Sequence, residues 1–258
     1  IKSIIMANGT KYFIGNWKMF GIPSSIKILD RINHYFNKDK KNNKRYKVII
    51  SPPHTLLQYF SKKYKNKKVS ICAQNSYHKD FFGAHTGAVS PFMIKKLGVN
   101  YIIIGHSENR AEGENNKIIK EKIHSALKNK FNIIFCVGEN SLEKKRNKTI
   151  SVLKKQLKNV LDKKYNFKRI IVAYEPIWSI GTGKIPSTKE LELNVIYLKK
   201  FMKERFKIKH DPKILYGGSV DKDSIYRFRL IRELDGFLIG GASKSSKNFI
   251  DIIKNFYK

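Results

Sequence analysis

Glu175 follows the apolar run Arg169–Tyr174 and stands directly before Pro176. A carboxylate at the end of a buried segment is placed to act as a general base. His106 leaves another apolar run, in Ile104-Gly105-His106-Ser107-Glu108, and Lys18 a third, in Gly15-Asn16-Trp17-Lys18. The lysine supplies a fixed positive charge for an anionic substrate, and the glycine before the histidine permits close packing and a sharp exit. Singly, each is ordinary: lysine is abundant here, and a lone histidine is most often structural. Two further runs end in Tyr216-Gly217-Gly218-Ser219-Val220 and Ile239-Gly240-Gly241-Ala242-Ser243. Backbone without side chains can approach a phosphate and donate N–H bonds to it. The stretch Pro176, Ile177, Trp178, Ser179, Ile180, Gly181, Thr182, Gly183 and Lys184 combines a proline, a bulky apolar centre and a Gly-Thr-Gly tail. That composition suits a lid with fixed hinges, a rigid tip and amides free to meet an anion.

These groups need elements to bring them together. Apolar runs rich in Ile, Val, Phe and Tyr recur at Tyr12–Trp17, Tyr46–Ser51, Val69–Ala73, Tyr101–Ile104, Asn132–Val137, Arg169–Tyr174, Lys213–Tyr216 and Gly236–Ile239. Most are continuous in hydrophobicity, the mark of parallel strands covered on both faces. Between them lie stretches of helical spacing. Ile118, Ile119, Ile123, Ala126 and Leu127 share one face of residues 115–130, and Leu191, Val195, Leu198, Phe201 and Met202 one face of residues 188–206. Ser24 precedes the first helix, and Ser187 stands three residues ahead of Glu190 as an N-cap. Strand and helix in alternation give a parallel α/β fold. Repetition alone does not choose a closed barrel over an open sheet, although no Gly-x-Gly-x-x-Gly turn follows the first strand. In a closed barrel, the C-terminal rim of the strands is where catalytic side chains converge, and the last two loops often bind phosphate. The unusual polar residues all fall there, in order.

The chain has 258 residues, enough for one barrel domain, and 41% of them are hydrophobic. Lys and Arg number 53 against 20 Asp and Glu, a net charge of +33. Such a field captures anions. The excess is spread through Lys- and Asn-rich stretches such as 38–47, 61–68 and 144–148, which reads as a solvated surface. No membrane span and no dedicated nucleic-acid partner are expected. Cys72 and Cys136 each sit in an apolar run without disulfide or metal spacing, so a reducing compartment is expected. The cytoplasm is the default. The start at Ile1 rather than Met suggests that something upstream was removed, and the plastid stroma after loss of a transit peptide is the alternative.

Asn-Trp-Lys, Gly-His-Ser-Glu, Tyr-Glu-Pro-Ile-Trp-Ser-Ile-Gly-Thr-Gly-Lys, Tyr-Gly-Gly-Ser-Val and Gly-Gly-Ala-Ser resemble, in order and spacing, motifs of the triosephosphate isomerase family. Residues 73–75, 83–87 and 136–139 are also similar to family segments. The resemblance covers residues 11–257; residues 1–10 read as an irregular extension. It implies a single (β/α)8 barrel domain that interconverts dihydroxyacetone phosphate and glyceraldehyde 3-phosphate as a homodimer, with no cofactor or metal. The division of labour comes with the family rather than from spacing. Glu175 is the base that moves a proton between C1 and C2. His106 polarises the carbonyl as a neutral imidazole, Lys18 offsets the phosphate and enediolate charge, and Asn16 orients the substrate. Glu108 lies near Lys18. Gly181, Ser219, Gly240 and Gly241 bind phosphate, and residues 176–184 close over the site. Asn75, His85, Thr86 and Gly87 fall at the dimer interface.

Some positions depart from the family. Ala88 stands where Glu usually follows Thr-Gly, and Asn109 where Arg usually follows His-Ser-Glu. In the family these two side chains tend to pair across the interface, so their joint loss implies a weaker dimer, and a charged His85 near the interface would weaken it further. Phe20 stands where Asn often follows Trp-Lys-Met. Two other readings stay open: another barrel enzyme acting on a phosphosugar, and a basic barrel that binds nucleic acid.

Overall fold

The computed structural model describes residues 9–258. The extension expected over residues 1–10 falls, for residues 1–8, outside the described residues. The strands are β1 (Lys11–Asn16), β2 (Tyr46–Ser51), β3 (Ser70–Ala73), β4 (Tyr101–Ile104), β5 (Asn132–Val137), β6 (Ile170–Tyr174), β7 (Lys213–Tyr216) and β8 (Gly236–Ile239). All pair in parallel in chain order, and β8 returns to β1, so the sheet closes into a barrel. The helices are α1 (Ile26–Lys38), α2 (His54–Lys63), α3 (Pro91–Lys96), α4 (Ser107–Ala111), α5 (Asn116–Lys128), α6 (Ser141–Lys145), α7 (Thr149–Val160), α8 (Thr188–Phe206), α9 (Ile225–Phe228) and α10 (Ser246–Tyr257).

Successive side chains on a strand point to opposite faces, and here both faces are dry. Tyr12, Ile14, Ile49, Cys72, Ile103, Ile134, Cys136, Ile171, Ala173, Leu215 and Leu238 fill the barrel interior. Their neighbours, among them Phe13, Val48, Ile50, Ile102, Ile133 and Val172, face out and pack under Leu29, Ile32, Ile119, Ile123, Leu157, Leu198 and Ile252 of the helices. Two-sided burial is why the strands read as continuous apolar runs. Both cysteines are buried thiols on these strands. Closure depends on Gly236, at φ +148°, where a Cβ would stand 2.1 Å from the Tyr12 carbonyl oxygen.

The cap of α8 is as read: Ser187 accepts the Glu190 N–H at 3.2 Å. The start of α1 differs. Pro23–Ser25 forms a 3-10 turn, and Ser25 rather than Ser24 occupies the cap position, without a side-chain cap bond. Proline pre-sets the backbone angle of the turn and so moves the helix start forward. Trp17 lies one residue beyond β1, and its indole donates to the Ser243 carbonyl at 3.0 Å. At the N-terminal end of the barrel, away from the candidate site, Lys199 pairs with Asp211 (2.8 Å) and Asp235 (3.0 Å). Among the described residues, no helix is long and apolar enough to cross a membrane.

Candidate active site

A cavity of about 550 Å³ opens at the C-terminal rim of the barrel. Asn16, Lys18, His106, Glu175, Gly181, Ser219, Gly240 and Gly241 all line it. Strands β1, β4, β6, β7 and β8 each deliver one part of this set at their last residue or just beyond.

Glu175 and His106 are both buried, with the Glu175 Oε1 3.3 Å from His106 Nε2. His106 caps α4, and its Nδ1 accepts the Glu108 N–H at 3.2 Å. With Nδ1 occupied as an acceptor, the ring hydrogen lies on Nε2, aimed at Glu175 and the cavity. The Lys18 ammonium lies 2.6 Å from Glu108 Oε1. The Lys18 backbone is left-handed at φ +55°, a conformation that costs a non-glycine residue about 1–2 kcal/mol. It is held from both sides. Its N–H donates to Asn16 Oδ1 at 3.1 Å, and its carbonyl accepts from Gln74 Nε2 at 2.8 Å.

The frame around Glu175 depends on glycines of the neighbouring strand ends. A Cβ at Gly138 would sit 1.8 Å from the Glu175 carbonyl oxygen, and one at Gly217 2.6 Å from Glu175 Cγ. Cys136 packs nearby. Burial first, then the Glu175 carboxylate, push its thiol well above the ordinary cysteine range, so the thiol stays protonated. Arg110 braces the exits of β4 and β5, donating to the Gly105 carbonyl at 2.8 Å and the Cys136 carbonyl at 3.2 Å.

The segment 176–184 folds over the rim around a 3-10 turn at Ile177–Ser179. Trp178 donates from its indole to Glu139 Oε1 at 2.8 Å, and the Tyr174 hydroxyl donates to the same oxygen at 3.2 Å. Burial raises the Glu139 carboxyl above its usual range. Ser179 is the hub of the turn. Its hydroxyl donates to the Lys184 carbonyl at 2.5 Å, bonds the Tyr216 hydroxyl at 2.9 Å and accepts the Ser219 N–H at 3.2 Å. The Ser219 hydroxyl returns a bond to the Ser179 carbonyl at 2.6 Å, and the Gly183 N–H donates to Ser219 Oγ at 3.2 Å. A Cβ at Gly218 would meet the Tyr216 and Ser179 hydroxyls at 2.3 and 2.5 Å. Residues 176–184 are thus fastened to the loop after β7.

This geometry has close relatives. A family model described as triosephosphate isomerase matches residues 11–256. Triosephosphate isomerases of Thermodesulfovibrio yellowstonii and Dictyostelium discoideum are each 35% identical to the chain, covering 95% and 96% of it and 98% and 97% of those proteins. The chain belongs to the triosephosphate isomerase family. The crystal structure of the Bartonella henselae triosephosphate isomerase superposes with a TM-score of 0.86 at 30% identity, covering 96% of this chain and 99% of that one. A triosephosphate isomerase is an isomerase, and its substrate is a triose phosphate. The readings as a different phosphosugar enzyme or a nucleic-acid-binding barrel find no support in these relatives.

The segment expected at a dimer interface lies elsewhere, between β3 and α3. His85, Thr86 and Gly87 are exposed there, with His85 Nδ1 3.3 Å from the Tyr77 hydroxyl. Asn75 is engaged within the chain. Its Nδ2 donates to Glu114 Oε1 at 2.8 Å, and its Oδ1 accepts from Lys122 at 3.0 Å. Sequence reasoning gave no role to Gln74, Gly138 or Arg110, and read Gly217 only as backbone that can approach a phosphate, not as the space that Glu175 occupies. The signal for Gln74 and Gly138 was their place next to a strand end, where Gln74 follows β3 and Gly138 follows β5. Arg110, on α4, offered none.

Proposed function

We propose that Glu175, His106, Lys18 and Asn16 perform the family's reaction in this chain, the interconversion of dihydroxyacetone phosphate and glyceraldehyde 3-phosphate. The observation that carries the proposal is the buried Glu175–His106 pair, 3.3 Å apart on the wall of a cavity that also receives Lys18. Glu175 takes the proton from the carbon beside the carbonyl and returns it to the neighbouring carbon. The His106 Nε2–H donates to the oxygen on which charge develops, and the Lys18 ammonium offsets that charge and the phosphate. Asn16 orients Lys18 and the substrate. Glu108 positions Lys18 by its ion pair. The amides of Gly181, Gly240 and Gly241 hold the phosphate, joined by that of Ser219 when it exchanges the Ser179 hydroxyl for a phosphate oxygen. Closure of residues 176–184 excludes water and suppresses loss of phosphate from the enediolate.

The test is conversion of glyceraldehyde 3-phosphate by the purified protein over a dilution series. Turnover that disappears in Glu175→Gln supports the assignment; undiminished turnover in that variant overturns it.

The working unit is a homodimer formed through the 76–90 segment, as in the resemblance. Exposed Phe81 and Phe82, whose rings pack 4.5 Å apart, and Met19, 98% exposed beside Lys18, supply apolar surface for a second copy. Ala88 and Asn109 leave that interface without one ion pair. Activity per subunit that falls on dilution supports a weakened dimer, and sedimentation showing a tight dimer at all concentrations removes it. The compartment is proposed to be the cytoplasm, on the strength of two buried, unpaired cysteines. Imaging of the tagged full-length protein decides between it and a plastid.

A further inference from the structure

The cavity holds a cation that the family's reaction does not call for. Lys244 ends the 3-10 turn Gly241–Lys244, half-buried, and lines the cavity beside Gly240 and Gly241. None of the ion pairs among the described residues uses it. Its ammonium lies 5.4 Å from the centre of the Phe20 ring, an attractive cation–π arrangement. Phe20 is the aromatic that stands where the family often has Asn, and it packs edge-on against Trp17 at 5.6 Å. The turn itself is fixed: Trp17 donates to the Ser243 carbonyl at 3.0 Å, and the Ser243 N–H donates to the Gly240 carbonyl at 2.9 Å. Lys18 Cε lies 3.7 Å from where a Cβ on Gly240 would be. Both lysines therefore line the cavity together with the Gly240–Gly241 loop.

The charges lining the cavity show what the second lysine does. Besides Lys18 and Lys244 they are two carboxylates, Glu175 and Asp221. Asp221 belongs to the loop after β7, two residues beyond Ser219. It accepts the N–H groups of Asp223 at 2.8 Å and Ser224 at 2.7 Å, so it is held in place as an anion. Without Lys244, these side chains would sum to a net negative wall around a phosphate dianion, and Lys18 is already paired with Glu108. Lys244 restores the balance at the phosphate end.

We propose that Lys244 is a further substrate-binding residue, a second ammonium that contacts the phosphate at the Gly240–Gly241 end of the cavity and is steered there by the Phe20 ring. This rests on the reading that a triose phosphate binds with its phosphate at these loops. The class of ligand is a phosphate dianion, and the effect is on binding rather than on the proton transfer.

The experiment compares the unsubstituted protein with Lys244→Met, which keeps the stem and removes the charge, and with Lys244→Arg. KM and kcat for glyceraldehyde 3-phosphate are measured alongside the dissociation constant of inorganic phosphate by calorimetry. Circular-dichroism melts confirm that each variant folds. Loss of one charge-assisted contact is expected to raise both KM and the phosphate dissociation constant about tenfold. The change in kcat is smaller, arginine restores most of the loss, and the gap narrows at high salt. A phosphate dissociation constant within about twofold of the unsubstituted protein in Lys244→Met, or a loss confined to kcat, overturns the proposal. A protein that binds phosphate in a Lys244-dependent way but turns over no triose phosphate would leave the binding site standing and remove the catalytic reading instead.

Discussion

Gly217→Ala tests how tightly the barrel holds Glu175, the proposed base. The new Cβ would stand 2.6 Å from Glu175 Cγ and 3.2 Å from Oε1. Carbon atoms sit at about 3.5–4.0 Å in ordinary contact, so one of the two must yield by roughly 1 Å. The Gly217 backbone is outside the left-handed region, so alanine itself is tolerated there. The Glu175 main chain cannot retreat toward β5, because its carbonyl already occupies the space of a Gly138 Cβ. The side chain must therefore turn, and with it the carboxylate that lies 3.3 Å from His106. A displacement of about 1 Å at a reacting group costs on the order of 100-fold in rate, or about 2.7 kcal/mol of barrier. The expectation is a fall of that size in kcat/KM, measured in a coupled assay, with a melting temperature close to that of the unsubstituted protein. A folded Gly217→Ala protein within about threefold of normal kcat/KM would refute the reasoning, since it would show that Glu175 has slack the packing denies.

Ser179→Ala removes the hydroxyl that bonds Lys184 within the 176–184 segment and joins that segment to Tyr216 and Ser219. With about 1–2 kcal/mol of hydrogen bonding lost from this arrangement, kcat/KM should drop roughly 5–30-fold and inorganic phosphate release per turnover should rise; an unchanged phosphate yield would contradict the proposed closure of residues 176–184. Gly236→Ala places a methyl 2.1 Å from the Tyr12 carbonyl oxygen on a left-handed backbone at the β8–β1 seam. A loss of about 4 kcal/mol or more is expected in urea denaturation, the range reserved for disrupted cores. Burial opposes ionisation of Asp211, but hydrogen bonds and charge from Lys199 and Lys203 outweigh it and hold the carboxyl below the usual aspartate range. A depressed folded value means that its stabilisation is present above the ordinary pKa of about 3.9 and is lost as pH falls through the folded value. Asp211→Asn should therefore have a lower urea midpoint than the unsubstituted protein at pH 7, with the gap closing in acid; a gap independent of pH would show that the pair contributes nothing through charge.

The strands were legible because they are dry on both sides. Each apolar run from Tyr46–Ser51 to Gly236–Ile239 coincides with a strand to within one residue. The limits of that reading are local: Trp17 belongs past the end of β1, and the Pro23 turn shifts the start of α1 to Ile26. The candidate site was legible in its types and order, since Lys18, His106, Glu175 and the glycine pairs all directly follow strands. What supports them was not. Gly138 looks like any loop glycine, and Gly217 like a phosphate-loop glycine alone, until the backbone and side chain of Glu175 are seen against them. Gln74 is an ordinary amide until it meets the strained Lys18 carbonyl, 56 residues away in sequence. Lys244 is one lysine among many until the turn carries it into the cavity.

The sequence by itself determined the alternation of strand and helix, the rim position of the polar residues and the family motifs, because hydrophobic period and glycine placement are properties of neighbours along the chain. Only the tertiary structure decided which of these residues touch. Barrel closure brings residues from β1, β4, β6, β7 and β8 to one mouth, and distances of a few ångströms there depend on packing between segments that the order of residues does not encode locally.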